Sequence, residues 1–324
     1  MQKLALPFAL ALVLAACGGN PEPPKPAAAP EAPKAAEPAP PAQPAAAPSE
    51  TASWDAQQNQ VLAGQWRSEE NKARDAYRHP RETLAFFGLK AGMNVVEITP
   101  GGGWYTEILA PLLKGQGKLT AAIVDPATAA SEGTKNYLDK SNAKYKEKLA
   151  ADPEHYGEVS VREFPMNAPA FGDPGSADLV LTFRNVHNFM AWNDDAAVFK
   201  AAFDVLKPGG VLGVTDHRAA PGTALEKTKE SGYIPEDYVI KLATDAGFAL
   251  AEKSEINANP KDTKDHEKGV WTLPPSFALG DKDKDKYSAI GESDRMTLKF
   301  VKPAAAAATP AEAAKLPAES TSKH

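Results

Sequence analysis

The sequence predicts a doubly wound α/β sheet. Three observations predict it. Short apolar runs alternate with helix-length amphipathic segments between Asn94 and Val301, the run ADLVLTF is apolar almost throughout, and three glycines directly follow the first run. Strands separated by helices pair in parallel through right-handed crossovers. A strand without polar alternation is one buried on both faces.

From Asp55 to Tyr77, Val61, Leu62 and Trp66 fall at helical spacing and predict a helix. RDAYRHPRETLAFFGLKAGM predicts a short helix ending near Gly88. NVVEI is the first strand, and WYTEILAPLLKGQG a helix closed by glycine. KLTAAIVDP is the second strand, stopped by Pro126. Charge and periodicity predict a helix over Ala127 to Leu149; VSVREFP and ADLVLTF follow as strands three and four. NDDAAVFKAAFDVLKPGG is an amphipathic helix with Asn193 as candidate cap and Pro-Gly-Gly as its stop. VLGVTD is strand five, and PEDYVIKLATDAGF a helix opened by Pro235. FALAEKSEI and RMTLKFV are strands six and seven. No helical pattern separates them, so they are expected to pair antiparallel around a polar excursion, Asn257 to Asp294.

The ends of the 324-residue chain are built differently. MQKLALPFALALVLAACGGN has an early lysine, an apolar run too short to span a bilayer, and small residues before Cys17, the one cysteine. LAAC resembles a bacterial lipoprotein signal over residues 1–17, in which Cys17 is lipidated; a plain signal peptide is the alternative. Gly18 after it resembles an outer-membrane address, and so a site at the periplasmic face of that membrane. Residues 18–52 are a Pro/Ala-rich linker and 303–324 a low-complexity tail, both too poor in apolar side chains to fold. One domain, residues 53–302, is left.

Net charge is -6 with Lys and Arg scattered, which argues against a nucleic-acid partner. The chain has no H-E-x-x-H, no cysteine-rich metal site, no G-x-S-x-G and no P-loop. No metal is expected.

In a doubly wound sheet, ligands bind beyond the C-terminal strand ends. Gly101, Gly102 and Gly103 stand there after strand one, where bare backbone admits close approach; a purely structural tight turn is the alternative. Asp125 closes strand two, where a carboxylate can hold both ribose hydroxyls, or merely form a turn. The spacing is not GxGxxG. Glu97, inside strand one, would repel a pyrophosphate and suit an ammonium group, as in the amino-acid end of S-adenosylmethionine.

These residues resemble the class I S-adenosylmethionine-dependent methyltransferases. Their E/D-x-G-x-G-x-G motif falls on Glu97, Thr99, Gly101 and Gly103, followed by VDP at Asp125, ADLVLTF and LKPGG. EITPGGGWYTEILAP, TFRNVHN and DRMTLKF together are similar to a family of exported predicted methyltransferases. The resemblance implies a Rossmann-like seven-stranded sheet of order 3-2-1-4-5-7-6 with S-adenosylmethionine as cofactor. Thr99 stands where that motif has glycine, and Pro100 follows. A β-branched residue there is expected to narrow the approach to the methionine moiety.

Methyl transfer needs positioning and, for some acceptors, a base. RNVHN, read as a loop after strand four, offers Arg184, Asn185, His187 and Asn188; plain loop caps are the alternative. Arg184 is grouped with the cofactor. His187 is the first candidate base, with Asn185 beside it. In TDHR, Asp216 and His217 are adjacent and point to opposite faces, so one faces the cleft; His217 is the second candidate. His79 is a candidate lid residue or a surface histidine. Asn167, by position, would contact adenine. Tyr105, beside Trp104, lines the methionine pocket or packs between helix and sheet. KGVWTLPPSF is expected to fold over the cleft, and DKDKDK to be a solvated loop.

Two readings follow. One is an exported methyltransferase acting on a small or lipid-soluble acceptor at the membrane through lipidated Cys17. The other is an inactive envelope-binding module of the same fold. A nicotinamide oxidoreductase is a third, disfavoured by the glycine spacing.

Overall fold

The computed structural model describes residues 50–304. The leader, Cys17, the linker up to residue 49 and the tail from 305 lie outside the described residues. Four helices, α1 (Glu50–Leu62), α2 (Glu69–Ala73), α3 (Asp75–Arg78) and α4 (Pro80–Phe87), precede β1 (Asn94–Ile98). Then come α5 (Thr106–Leu113), β2 (Lys118–Val124), α6 (Glu132–Ala151), α7 (Pro153–Tyr156), β3 (Ser160–Phe164), β4 (Ala177–Phe183), α8 (Val186–Trp192), α9 (Asp195–Val205) and β5 (Leu206–His217). The chain closes with α10 (Thr228–Ser231), α11 (Glu236–Asp245), β6 (Ala249–Ser254), α12 (Lys284–Ile290) and β7 (Arg295–Val301).

The seven strands form one sheet of order β3-β2-β1-β4-β5-β7-β6, parallel except for β7, which runs antiparallel to both neighbours. Order and direction match the sequence expectation. The sheet's central strands bury both faces: Val96, Ile98, Val180 and Val214 pack on one side, Val95, Leu179 and Leu181 on the other. Among the described residues no helix is long and apolar enough to cross a membrane.

Five local expectations change. Helix α9 ends at Val205, so Pro-Gly-Gly lies inside β5 instead of stopping the helix, and DKDKDK, expected as a loop, enters α12 at Lys284. The single helix over Asp55–Tyr77 breaks after Leu62. Gly64 there lies under Trp66, and Ser68 caps α2 by accepting from the Asn71 amide at 3.2 Å. RNVHN is the start of helix α8, not a loop. Asn193 ends α8 in a left-handed conformation instead of starting the next helix, and Asp194 takes that place.

Helix α4 crosses the sheet over β5. Gly213 makes that possible, since an added Cβ would stand 2.6 Å from Phe87 Cγ and 2.8 Å from Leu181 Cδ2. Gly213→Ala is therefore expected to lower stability by roughly 1–3 kcal/mol, the usual cost of overpacking. Thermal or denaturant unfolding measures this; an unchanged midpoint would show that α4 does not seat there.

Candidate active site

β1 delivers the glycine turn to the C-terminal edge of the sheet. Thr99 N donates to Ala122 O at 2.8 Å, and the chain then turns with Thr99 at φ +52. A β-branched residue held there stores strain of order 1–3 kcal/mol. So Thr99 does not change the turn: it takes the backbone shape of the glycine it replaces. Its Oγ1 is buried without a hydrogen-bond partner among the described residues. Gly101, at φ +58, and Gly102 face open space, with nothing within 4 Å of an added Cβ. Gly103 differs. A Cβ there would meet the Tyr145 ring at 3.0 Å, so this glycine lets α6 close against the turn.

Glu97 is 2 % exposed. Burial pushes its carboxyl up to about 7, against the opposing pull of a hydrogen bond from Thr106 Oγ1 at 2.6 Å and of Lys148. Asp125 is half-buried at the end of β2. One oxygen accepts from the Ala127 amide at 2.9 Å and caps the following turn; the other has no hydrogen bond among the described residues. Tyr105 packs between helix and sheet. Its ring stacks on Phe183 at 3.5 Å between centroids, and it borders a small cavity of about 30 Å³ with Glu97, Thr99 and Arg184. Trp104 donates its indole N–H to Asn71 O at 3.0 Å and lies under the Arg78 guanidinium at 4.6 Å. It thereby clamps the N-terminal helices over the turn. Asn167 is exposed and lines neither this cavity nor the main cleft, because the chain after β3 turns Met166 inward instead.

A larger cleft of about 510 Å³ opens above Thr99, Gly101 and Gly102. Arg184, Asn185, His187, Asn188 and His217 all line it. Asn185 has a structural role. Its Nδ2 donates to Thr99 O at 3.0 Å and Ile98 O at 3.2 Å, bracing the glycine turn.

His187 is held by a carboxylate from β5. Its Nδ1 lies 2.9 Å from Asp216 Oδ1. Asp216, fully buried at the end of β5, also accepts from the amides of Val186 at 2.7 Å, His187 at 3.3 Å and His217 at 2.7 Å. The ionised carboxylate is an acceptor only, so the Nδ1 proton belongs to His187 and Nε2 is left as the accepting nitrogen. The expectation that Asp216 and His217 point to opposite faces does not hold: both approach His187, Asp216 through its carboxylate and His217 with ring centroids 5.2 Å apart, although of the two only His217 lines the cleft. The partner of Asp216 comes from α8, which follows β4, whose end lies in register with β5, Phe183 opposite Thr215.

His217 Nδ1 hydrogen-bonds Ser293 Oγ, and its ring centroid lies 5.2 Å from that of His187. Burial, then the nearby His187, Arg184, Arg295 and Arg78, hold His217 well below the usual histidine range, so it is neutral. His187, Asp216 and His217 bring ligand-type atoms within 4.8 Å of one another. Four donors already occupy the Asp216 oxygens.

The excursion before β7 roofs the cleft with Val270, Trp271, Pro274 and Pro275, as expected for KGVWTLPPSF; DKDKDK is exposed. His79 is no lid residue. It sits in a left-handed joint between α3 and α4, away from the cleft lining. Its neighbour Arg78 acts instead, and with it comes a cluster the sequence analysis missed. Glu292 accepts from Arg74 Nε at 2.6 Å, Arg78 Nε at 3.1 Å and Arg295 Nη1 at 2.9 Å. The one available signal was Arg74 and Arg78 at i, i+4 on the helix face now turned inward.

Burial pushes the Glu292 carboxyl up, but Arg78, Arg295, Arg184 and Arg74 together outweigh it and hold it well below the carboxylate range. A depressed folded value means the stabilisation is complete above pH ~4.3 and is lost as pH falls below it. Glu292→Gln is expected to remove roughly 3–5 kcal/mol at neutral pH, since it leaves buried guanidiniums uncompensated. The mutant's stability should also fall less steeply than wild type between pH ~4 and lower pH. Denaturant unfolding over a pH series distinguishes the two; parallel curves would remove Glu292 from the roof.

Residues 96–214 match the family described as a methyltransferase domain. No curated protein matches the chain. Similar solved structures include an S-adenosylmethionine-dependent methyltransferase from Aquifex aeolicus, 18 % identical, with 71 % of this chain and 93 % of that one covered at a TM-score of 0.46. Phosphoethanolamine N-methyltransferase 2 of Haemonchus contortus, solved with S-adenosyl-L-methionine, is 19 % identical over 70 % of this chain and 53 % of its own, at 0.48. An arsenic(III) S-adenosylmethionine methyltransferase from Chlamydomonas reinhardtii is 16 % identical over 70 % and 74 %, at 0.41. The sheet order, with its antiparallel β7, and the matched segment give the same class: a Rossmann-like methyltransferase fold.

Proposed function

We propose that the chain is a class I S-adenosylmethionine-dependent methyltransferase for a small-molecule acceptor, with His187 as general base. The observation that carries this is the His187–Asp216 pair opening onto a cleft floored by bare glycine backbone. The cofactor residues fit. Gly101 and Gly102 leave room for close approach, Thr99 Oγ1 is a buried hydroxyl in want of a partner, and Glu97 suits an ammonium group. The free oxygen of Asp125 stands where a ribose hydroxyl can donate to it. S-adenosylmethionine, when bound, supplies an electrophilic methyl group on a cationic sulfur.

The chain's own residues do the rest. His187 Nε2 accepts the proton that the acceptor's hydroxyl or amine loses as it becomes a nucleophile. Asp216 fixes the tautomer that makes Nε2 the acceptor and stabilises the imidazolium that results. His217, kept neutral, adds a hydrogen-bonding nitrogen without a competing charge. Asn185 holds the glycine turn to β4, and Trp271 with its neighbours keeps water out.

An envelope setting extends the proposal. The leader, the lone Cys17 and the Pro/Ala linker support a lipid-anchored protein acting on a lipid-soluble or periplasmic acceptor. Mass spectrometry of the mature N-terminus tests it, with an unmodified Cys17 as the contrary result.

Calorimetry with S-adenosylhomocysteine tests the core proposal; no heat at millimolar ligand would favour the inactive binding module instead. His187→Ala should lower kcat by roughly 10²–10⁴-fold while leaving S-adenosylhomocysteine affinity unchanged. A variant retaining full turnover would remove His187 as base.

Glu97 supplies a second signature. Its raised value means the neutral form stabilises the ligand-free fold at low pH, an effect lost as pH rises through about 7. A bound ammonium favours the carboxylate, so binding should release a proton and tighten as pH rises from ~5 to ~7. Titrations in buffers of different ionisation enthalpy read the proton directly. In Glu97→Gln both effects should vanish; proton release that survives the substitution belongs to another group.

A further inference from the structure

We propose that the methyl acceptor carries an oxyanion, a carboxylate or a phosphate, received by the Arg184 guanidinium inside the cleft and separate from the hydroxyl or amine that His187 deprotonates. The proposal rests on the methyltransferase reading and specifies its acceptor. It moves Arg184 from the cofactor, where the resemblance places it, to the second substrate.

Four guanidiniums, those of Arg74, Arg78, Arg184 and Arg295, surround a single carboxylate, Glu292. Three of them pair with it directly. Arg184 does not. Among the described residues its side chain makes no hydrogen bond and no ion pair, yet it lines both the main cleft and the small cavity beside Glu97. Its backbone stands at φ +61, a left-handed conformation that non-glycine residues hold only when the surroundings enforce it. Arg74 Nη2 and Arg78 Nη2 are buried and also lack partners.

Charge decides what this wall can receive. Four guanidiniums against Glu292, with the Asp216 carboxylate also acting on Arg184, leave a local excess of positive charge. Buried cations without counter-charge are costly. The cost shows on Arg184 itself: burial first, then Arg74 and Arg295, pull its guanidinium down to about 10 despite Glu292 and Asp216. The cofactor cannot supply the balance, because its ammonium and sulfonium exceed its one carboxylate. A divalent metal at the histidines would add to the excess. An anionic acceptor would neutralise it, and the planar fork of an unpaired guanidinium matches two oxygens of a carboxylate or phosphate. Trp271, Val270 and Phe183 offer an apolar surface to the rest of that molecule.

Calorimetry on the purified full chain with three probes of one shape tests this: benzoate, phenyl phosphate and neutral benzamide, each with and without saturating S-adenosylhomocysteine. At least one anion is expected to bind tenfold or more tightly than benzamide, and which one separates carboxylate from phosphate. Arg184→Gln should abolish that preference and leave S-adenosylhomocysteine affinity within twofold; Arg184→Lys should keep part of it. Equal affinity for all three probes in wild type overturns the proposal and needs no variant. So does a preference that survives Arg184→Gln. A tenfold loss of S-adenosylhomocysteine binding in Arg184→Gln overturns it too, by assigning Arg184 to the cofactor's carboxylate. Absence of any S-adenosylhomocysteine heat in wild type sinks the methyltransferase reading alone, since an anion preference in the cofactor-free protein still upholds the anion site.

Discussion

The Asp216 carboxylate organises the site. It is fully buried, and a buried ionised group is tolerable only when its acceptor sites are filled. Here the imidazole of His187 and three backbone amides fill them. Two of those amides open α8, whose Asn185 offers no side-chain cap. A strand carboxylate from β5 therefore caps a helix that follows β4. One charge thus starts the helix, fixes the imidazole on its first turn, and selects its tautomer. The chemistry is built into the folding of the segment.

Glu292 does for the roof what Asp216 does for the floor. It joins Arg74 and Arg78, from helices at the start of the domain, to the segment leading into β7. Trp104 secures the same helices from below, through Asn71 and through the face of its ring under Arg78. Three distant parts of the chain meet over the cleft. Each contact is polar and buried, so each is worth most while the others hold it dry.

Periodicity made the sheet legible. Most strands announced themselves by an apolar run, and the absence of a helix-length apolar pattern between the last two pointed to the antiparallel β7, although the short α12 lies between them. Position was legible at the strand ends: Gly101, Gly102 and His187, read as lying beyond the sheet's C-terminal edge, do line one cleft. The site was obscure where the decisive fact was a pairing. Asp216 stood next to a histidine in sequence, but its partner lies 29 residues earlier, brought near by parallel register. Glu292 reaches Arg74 and Arg78 across 218 and 214 residues, a separation no local pattern encodes. The break in the first helix turned on a glycine under an indole and a serine cap, which outweighed a weak apolar spacing.

The two carboxylates and the guanidinium wall also sort the ligands by charge. Glu97 and Asp125 stand at the ends of β1 and β2, beside the glycine turn. Arg184 follows β4, one strand over, on the side where β5 supplies Asp216 and His217. The sheet order thus brings Glu97 and Arg184 from neighbouring strands to one small cavity, the acid on one strand and the guanidinium beyond the next. A cation placed among the arginines would be repelled, and an anion placed over Glu97 would raise a carboxyl value that burial has already lifted to about 7. Such a division orients two substrates before any shape complementarity acts, because each is penalised in the other's place.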